Sequence, residues 1–232
     1  MAKFCTKCGK PLVGGKPCDC EKNENQNEVE QVSFNANGLL ETVKGMFTRP
    51  VSTLQEFVQD HNLVPALILL GINALIVSLF VCLGAKEIIS AIAGSVSSLL
   101  FTMGGVEIPY ARIFFTTLVV IIIVYAALAG LFYLIADKLF KGSSSYKKML
   151  ALLGGTSVIM SVTLLLSIVF MYVSSQVMTI IFCCGAIVQS TYMVQGFIYA
   201  SDIDDDKVGY TYAIVYAIFL TITVFILPQI LG

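Results

Sequence analysis

Charge is what this chain has least of. Charged residues make up 12% of its 232 positions and hydrophobic residues 57%, with a formal net charge of −1. A soluble domain carries about 25% charged and roughly 45–50% apolar residues, so the composition excludes an ordinary soluble globule. Nucleic acid is excluded as a partner too, because neutralising phosphates takes clustered Lys and Arg. Histidine is reduced to His61, which follows an amphipathic stretch and reads as a polar surface residue. Without a histidine partner, Cys183 and Cys184 read as small packing residues rather than nucleophiles. The long apolar runs hold no acid or base away from their ends, which leaves an intramembrane protease or acyltransferase without its chemistry. The chain also begins without the apolar run of about 7–15 residues that a secretory signal needs. Asp202, Asp204, Asp205 and Asp206 do not make a calcium loop, since Lys207 stands where an EF-hand needs glycine. They read as a solvated acidic loop. An enzyme is not expected.

What is present begins with cysteine. Four of the seven cysteines are Cys5, Cys8, Cys18 and Cys20, spaced C-x2-C-x9-C-x-C. Gly9 follows the second cysteine, and Gly14 and Gly15 let the chain turn again. Both turns are needed to converge four sulfurs on one ion, and four thiolates suit a closed, tetrahedral, structural Zn2+ site. A segment this short cannot bury a core of its own, so metal binding would supply its folding free energy. Two disulfides would require an oxidising compartment, and a redox dithiol would require a βαβ setting. Residues 1–20 are therefore expected to be a zinc ribbon. Residues 21–36, rich in Asn, Gln and Glu, bury nothing and read as a disordered linker. Such a tether reaches a few tens of ångströms, at about 5–6 Å × √n for n residues.

Residues 37–61 carry an apolar stripe at helical spacing: Leu39, Leu40, Val43, Met46 and Phe47, then Val51, Leu54, Phe57 and Val58. Arg49-Pro50 interrupts it. This amphipathic juxtamembrane helix can lie in the headgroup plane or pack on the ends of the bundle, and the pattern serves both equally. Residues 62–232 read as an all-α, polytopic transmembrane bundle. Five runs reach the length needed to span a bilayer: about 63–83, 113–136, 149–173, 177–200 and 211–230. Ser174-Ser175-Gln176 is too short for anything but an antiparallel hairpin between the third and fourth. Residues 86–109 are diluted by serine and glycine and read as an amphipathic or re-entrant helix. Read instead as a further span, they would invert everything after them.

Orientation follows from lysine and arginine in the short loops. With five spans, one side collects Lys44, Arg49, Lys138, Lys141, Lys147, Lys148 and Lys207, and the other only Lys86 and Arg112. That places the N-terminus in the cytoplasm and the C-terminus outside, in a multi-pass protein of the cell membrane. A cytoplasmic N-terminus keeps the four cysteines reduced, which favours zinc.

Three stretches carry a resemblance: residues 45–63 (GMFTRPVSTLQEFVQDHNL), 141–155 (KGSSSYKKMLALLGG) and 195–218 (QGFIYASDIDDDKVGYTYAIVYAI). They resemble the Yip family of multi-span membrane proteins, the Ypt/Rab-interacting type, in its bacterial form with an N-terminal zinc ribbon. Here the second half of the ribbon departs from C-x2-C, reading Cys18-Asp19-Cys20. The resemblance implies a five-span bundle with a cytosolic N-terminus. Eukaryotic members are associated with membrane traffic and small GTPases, and the family supplies no catalytic residues.

The function expected from these readings is that of a non-enzymatic membrane-organising or adaptor protein. Its partners would be the lipid bilayer, a cytosolic protein taken up through the ribbon and, as an option, further copies of the chain. The alternative is a small transporter or channel using polar groups of the fourth span, Gln189, Ser190, Thr191 and Gln195. Glycine-rich surroundings and interhelical hydrogen bonding account for those groups more simply. Metal analysis of the protein purified under reducing conditions checks the ribbon. One zinc per chain is expected, lost in Cys5→Ser, and metal-free protein would refute the site.

Overall fold

The computed structural model describes residues 36–59, 63–85 and 109–231. The chain divides into two compact units, Met1–Asn35 and Ala36–Gly232. The expected ribbon cysteines Cys5, Cys8, Cys18 and Cys20, the linker and residues 86–108 lie outside the described residues. The regular structure among the described residues is all helical, with no strand. Seven α-helices stand in that set: α1 (Ala36–Thr48), α2 (Pro50–Gln59), α3 (Val64–Leu83), α4 (Tyr110–Leu134), α5 (Tyr146–Met171), α6 (Ser175–Ser201) and α7 (Asp205–Leu231).

Four helical segments are long and apolar enough to cross a membrane: Val64–Leu83, Tyr110–Leu139, Tyr146–Met171 and Ser175–Ser201. α7, where the fifth span is expected, is a helix of 27 residues. Several helices run past the apolar stretches that announce them, because polar side chains cap their ends. Ser145 precedes α5 and its Oγ accepts from the Lys148 amide at 3.3 Å. Ser174 precedes α6 and accepts from the Val177 amide at 3.4 Å. Each satisfies an amide that the first helical turn leaves open. Residues 172–174 alone join α5 to α6, and the two helices pack along each other.

The core is organised around α5, which packs against α1, α2, α3, α4 and α6. Its first half is buried on every side, from Met149 through Ile159. A helix surrounded in this way has no reason to be amphipathic, and small residues on it let neighbouring backbones come close. A Cβ at Gly154 would stand 2.8 Å from the Ala66 carbonyl oxygen and 2.9 Å from its Cα. α3 and α5 therefore touch backbone to backbone there. One at Gly185 on α6 would stand 2.1 Å from the Thr163 side chain.

The interrupted stripe forms two helices with a sharp bend between them. Pro50 opens α2, where a missing N–H costs nothing. The chain folds back far enough that a Cβ at Gly45 would meet Thr53 Oγ1 at 2.6 Å. Met46, Leu54, Phe57 and Val58 are buried. Leu54 packs over Gly155 of α5 and Gly196 of α6. The pair is thus seated on the bundle. A ten-residue helix is marginal alone. Burying Leu54, Phe57 and Val58 contributes about 1.5–3 kcal/mol each relative to water.

The backbone contact at Gly154 should be unforgiving. Gly154→Ala is expected to lose about 1–3 kcal/mol, since a backbone neighbour cannot rotate away. Gly71→Ala, with nothing within 4 Å of the new Cβ, should be neutral or gain roughly 0.5–1 kcal/mol. Thermal unfolding of the two variants in detergent compares them, and equal stability would contradict the packing described.

Candidate functional site: a clasp between two loops

The lysine-rich loop after α4 owes its shape to irregular backbone. The α-helix passes into a π-helical turn, Ile135–Leu139, of a kind that recurs at functional sites. Phe140 N–H then donates to the Ile135 carbonyl at 3.2 Å, and Gly142 N–H to the Ala136 carbonyl at 2.9 Å. Lys141 between them takes φ 57°, a left-handed conformation that costs an L residue about 1–2 kcal/mol. The second positive φ at a non-glycine residue belongs to Asp202, at 50°, which terminates α6.

These two loops hold each other. Ser143 N–H donates to the Ser201 carbonyl at 3.1 Å, and Ser143 Oγ donates to Asp202 Oδ2, also at 3.1 Å. Gly142 is required because a Cβ there would stand 2.5 Å from the Ser201 carbonyl oxygen and 2.8 Å from Ile203 Cγ1. Ile203, against which Gly142 lies, is buried, as is Val208. Beneath the clasp, Phe132 of α4, Phe197 of α6 and Tyr212 of α7 form an aromatic cluster, with centroids 5.1–5.4 Å apart in edge or tilted geometry. The cluster joins the three helices whose ends carry the loops.

Electrostatically the clasp sets a basic loop against an acidic one. Lys138 pairs with Asp137 at 3.0 Å and Lys207 with Asp204 at 3.1 Å. The lysines of both pairs reach solvent, so neither pair adds much to stability. Lys147 and Lys148 stand in the first turn of α5, the end where a helix dipole disfavours cations. Helix stability does not account for them.

A second polar cluster lies midway along the spans. Asn73 of α3 is fully buried; its amide donates to the Ser157 carbonyl at 3.1 Å and to Ser161 Oγ at 2.8 Å. Tyr125 OH of α4 donates to Asn73 Oδ1. One asparagine thus ties α3, α4 and α5 together. In lipid such a bond is worth about 0.6–2 kcal/mol. Of the polar groups in the fourth span, Ser190 and Thr191 face outward and donate to the carbonyls of Ala186 and Ile187 in their own helix, at 2.8 and 3.0 Å. They do not line a path. At the opposite end of the bundle from the clasp, a cavity of about 640 Å3 is lined by Phe80, Leu83, Tyr110, Met171, Tyr172 and Met178 among others. Its described lining carries no acid, amine or imidazole.

Among the described residues no three His, Cys, Asp or Glu converge as metal ligands. Cys82, Cys183 and Cys184 are free thiols, the latter two exposed on the outer face of α6. What the structure brings together is therefore a loop-to-loop clasp and a helix lock.

Residues 44–227 match the Yip1 domain. The chain belongs to the Yip1 family. The Yip1 match begins within α1 and ends within α7, so it takes in Asn73, Gly142, Ser143 and Asp202 together. It leaves the cysteine-bearing segment outside. No curated protein and no solved structure matches the chain. In this Yip1 protein the loop-to-loop clasp is a feature that sequence reasoning passes over. The signal available for it was Gly142 between Lys141 and three serines, facing an acidic loop on the same side.

Gly142→Ala is expected to open the clasp. Amide hydrogen exchange at Ser143 should accelerate by about tenfold or more, the loss of roughly 1.5 kcal/mol of local stability. Gly209→Ala, which meets nothing within 4 Å, should leave it unchanged. Equal protection in both variants would refute the clasp.

Proposed function

We propose that this Yip1-family protein is a non-enzymatic membrane adaptor. The membrane unit anchors and organises, and an N-terminal zinc ribbon on a polar tether recruits a cytosolic protein. The observation that carries the reading is the sequence C-x2-C-x9-C-x-C ahead of a linker that buries nothing, joined to a bundle whose buried Asn73 ties helices together. Four thiolates from Cys5, Cys8, Cys18 and Cys20 suit a closed tetrahedral zinc, which would hold the ribbon folded and leave no open coordination position. The bound ion would supply fold, and recognition would come from the side chains around it.

In this reading α7 is the fifth span, supported by its length and its apolar sequence. The clasp and the N-terminus share the cytoplasmic face of the cell membrane, supported by the lysines at residues 138, 141, 147 and 148. The clasp then lies on the side where the ribbon works. The competing reading, a transporter or channel through the fourth span, is disfavoured by the outward, back-bonded Ser190 and Thr191.

Proximity labelling from the N-terminus in native membranes tests the proposal. A definite cytosolic neighbour is expected, lost in Cys5→Ser while the bundle still unfolds at its normal temperature. Labelling that is diffuse and indifferent to Cys5→Ser would reject the adaptor. Solute flux in proteoliposomes that survives deletion of residues 1–31 but disappears in Gln195→Leu would establish the competing reading.

A further inference from the structure

The bundle covers less of α1 than the apolar arc of that helix requires. Met46 is 2% exposed, and Leu39 and Val43 pack against the core. Leu40 and Phe47, seven positions apart and so on one side of the helix, remain 65% and 53% exposed. Val51, at the start of α2, is exposed as well. Lys44 stands between Leu40 and Phe47 at i+4, and Arg49 sits at the bend; both are exposed. Glu41 is exposed one position round from Leu40, on the side away from Met46. The uncovered stripe is therefore apolar with two cations at its margin, bordered by a single acid.

The height of this stripe is set by packing. Leu54 of α2 lies over Gly155, and Ala66, in the first turn of α3, touches Gly154. Adjacent residues of α5 thus hold α2 and the beginning of the first apolar span at one level. The apolar run of α3 begins at that level, as it would where a bilayer's polar margin meets its hydrocarbon. An apolar stripe at the boundary, flanked by long cationic side chains, is what a helix lying in the interface presents. Lys and Arg can keep their stems in the apolar layer while their charged ends reach phosphate.

We infer that the outer stripe of α1 and the first turn of α2 form a lipid-docking surface. Leu40, Phe47 and Val51 sit in the acyl margin of the leaflet at the clasp end, and Lys44 and Arg49 bind lipid phosphates. The occupant is phospholipid rather than a protein. The cations match the headgroup charge, and the surface adjoins spans whose outer faces already meet lipid. The inference is independent of the ribbon.

The chain contains no tryptophan, so a single introduced indole reports its own surroundings. Phe47→Trp, and Leu40→Trp as an independent reporter, would be compared with Val119→Trp on the outer face of α4 and Glu56→Trp on the exposed side of α2. The full-length protein would be held in phosphatidylcholine vesicles with brominated acyl chains. Phe47→Trp and Leu40→Trp are expected to be quenched by brominated lipid as Val119→Trp is, and to be several-fold less sensitive to aqueous iodide than Glu56→Trp. Iodide sensitivity equal to that of Glu56→Trp would overturn the proposal. So would shielding from both quenchers, which would mean that a protein or a second copy covers the stripe. Adding Lys44→Glu and Arg49→Glu to Phe47→Trp should reduce quenching by brominated lipid several-fold, and unchanged quenching would overturn the role given to phosphate.

Discussion

The close approach of backbones along the first half of α5 is the constraint on which the rest depends. Lipid tails are as apolar as leucine, so helices in a membrane gain little by hiding apolar surface from each other. They associate through close packing and through hydrogen bonds that have no better partner nearby. Gly154 brings α3 to backbone contact, Gly155 admits Leu54, Met46 and Phe57, and Gly185 takes the Thr163 side chain. Once α3 is that close, Asn73 can reach a main-chain carbonyl of α5, Ser157, and still accept from Tyr125. Larger residues at these positions would push the asparagine out of range, and a buried amide without partners is costly.

Much of the architecture was legible because hydropathy and charge are local. Four of the five apolar runs marked helices long and apolar enough to cross a membrane, and Arg49-Pro50 marked the break between α1 and α2. Helix ends were less legible. Residues 146–148 and 201 are polar and look like loop, yet they are helical because Ser145 caps one end and Asp202 accepts a left-handed conformation at the other. The seat of α1 and α2 was undecided, since an apolar stripe reads alike whether protein or lipid covers it. The structure seats α2 on the bundle, with Leu54, Phe57 and Val58 buried, and leaves Leu40 and Phe47 of α1 open.

The clasp was not legible, for a different reason. Its contacts join residues 58 and 59 apart in sequence, through one main-chain bond and one serine hydroxyl on a carboxylate. Nothing in either loop alone announces the other. Read separately, the lysine loop was a charge marker and the aspartate loop a solvated turn. Together they form one surface, braced by the Phe132, Phe197 and Tyr212 rings. The expected ribbon sites lie outside the described residues, so the zinc reading stands on cysteine spacing.

The proposed function needs the clasp and the ribbon on one side of the membrane, with the α5–α6 turn on the other. Membrane-impermeant maleimide applied to whole cells tests this directly, using cysteines introduced one at a time at Lys147, exposed beside the clasp, and at Val173, 74% exposed in the turn, in a protein whose Cys82, Cys183 and Cys184 are replaced by serine and which itself serves as the blank. The account predicts that Val173→Cys is labelled on intact cells and Lys147→Cys only after the membrane is opened. Labelling of Lys147→Cys from outside, with Val173→Cys protected, would contradict it.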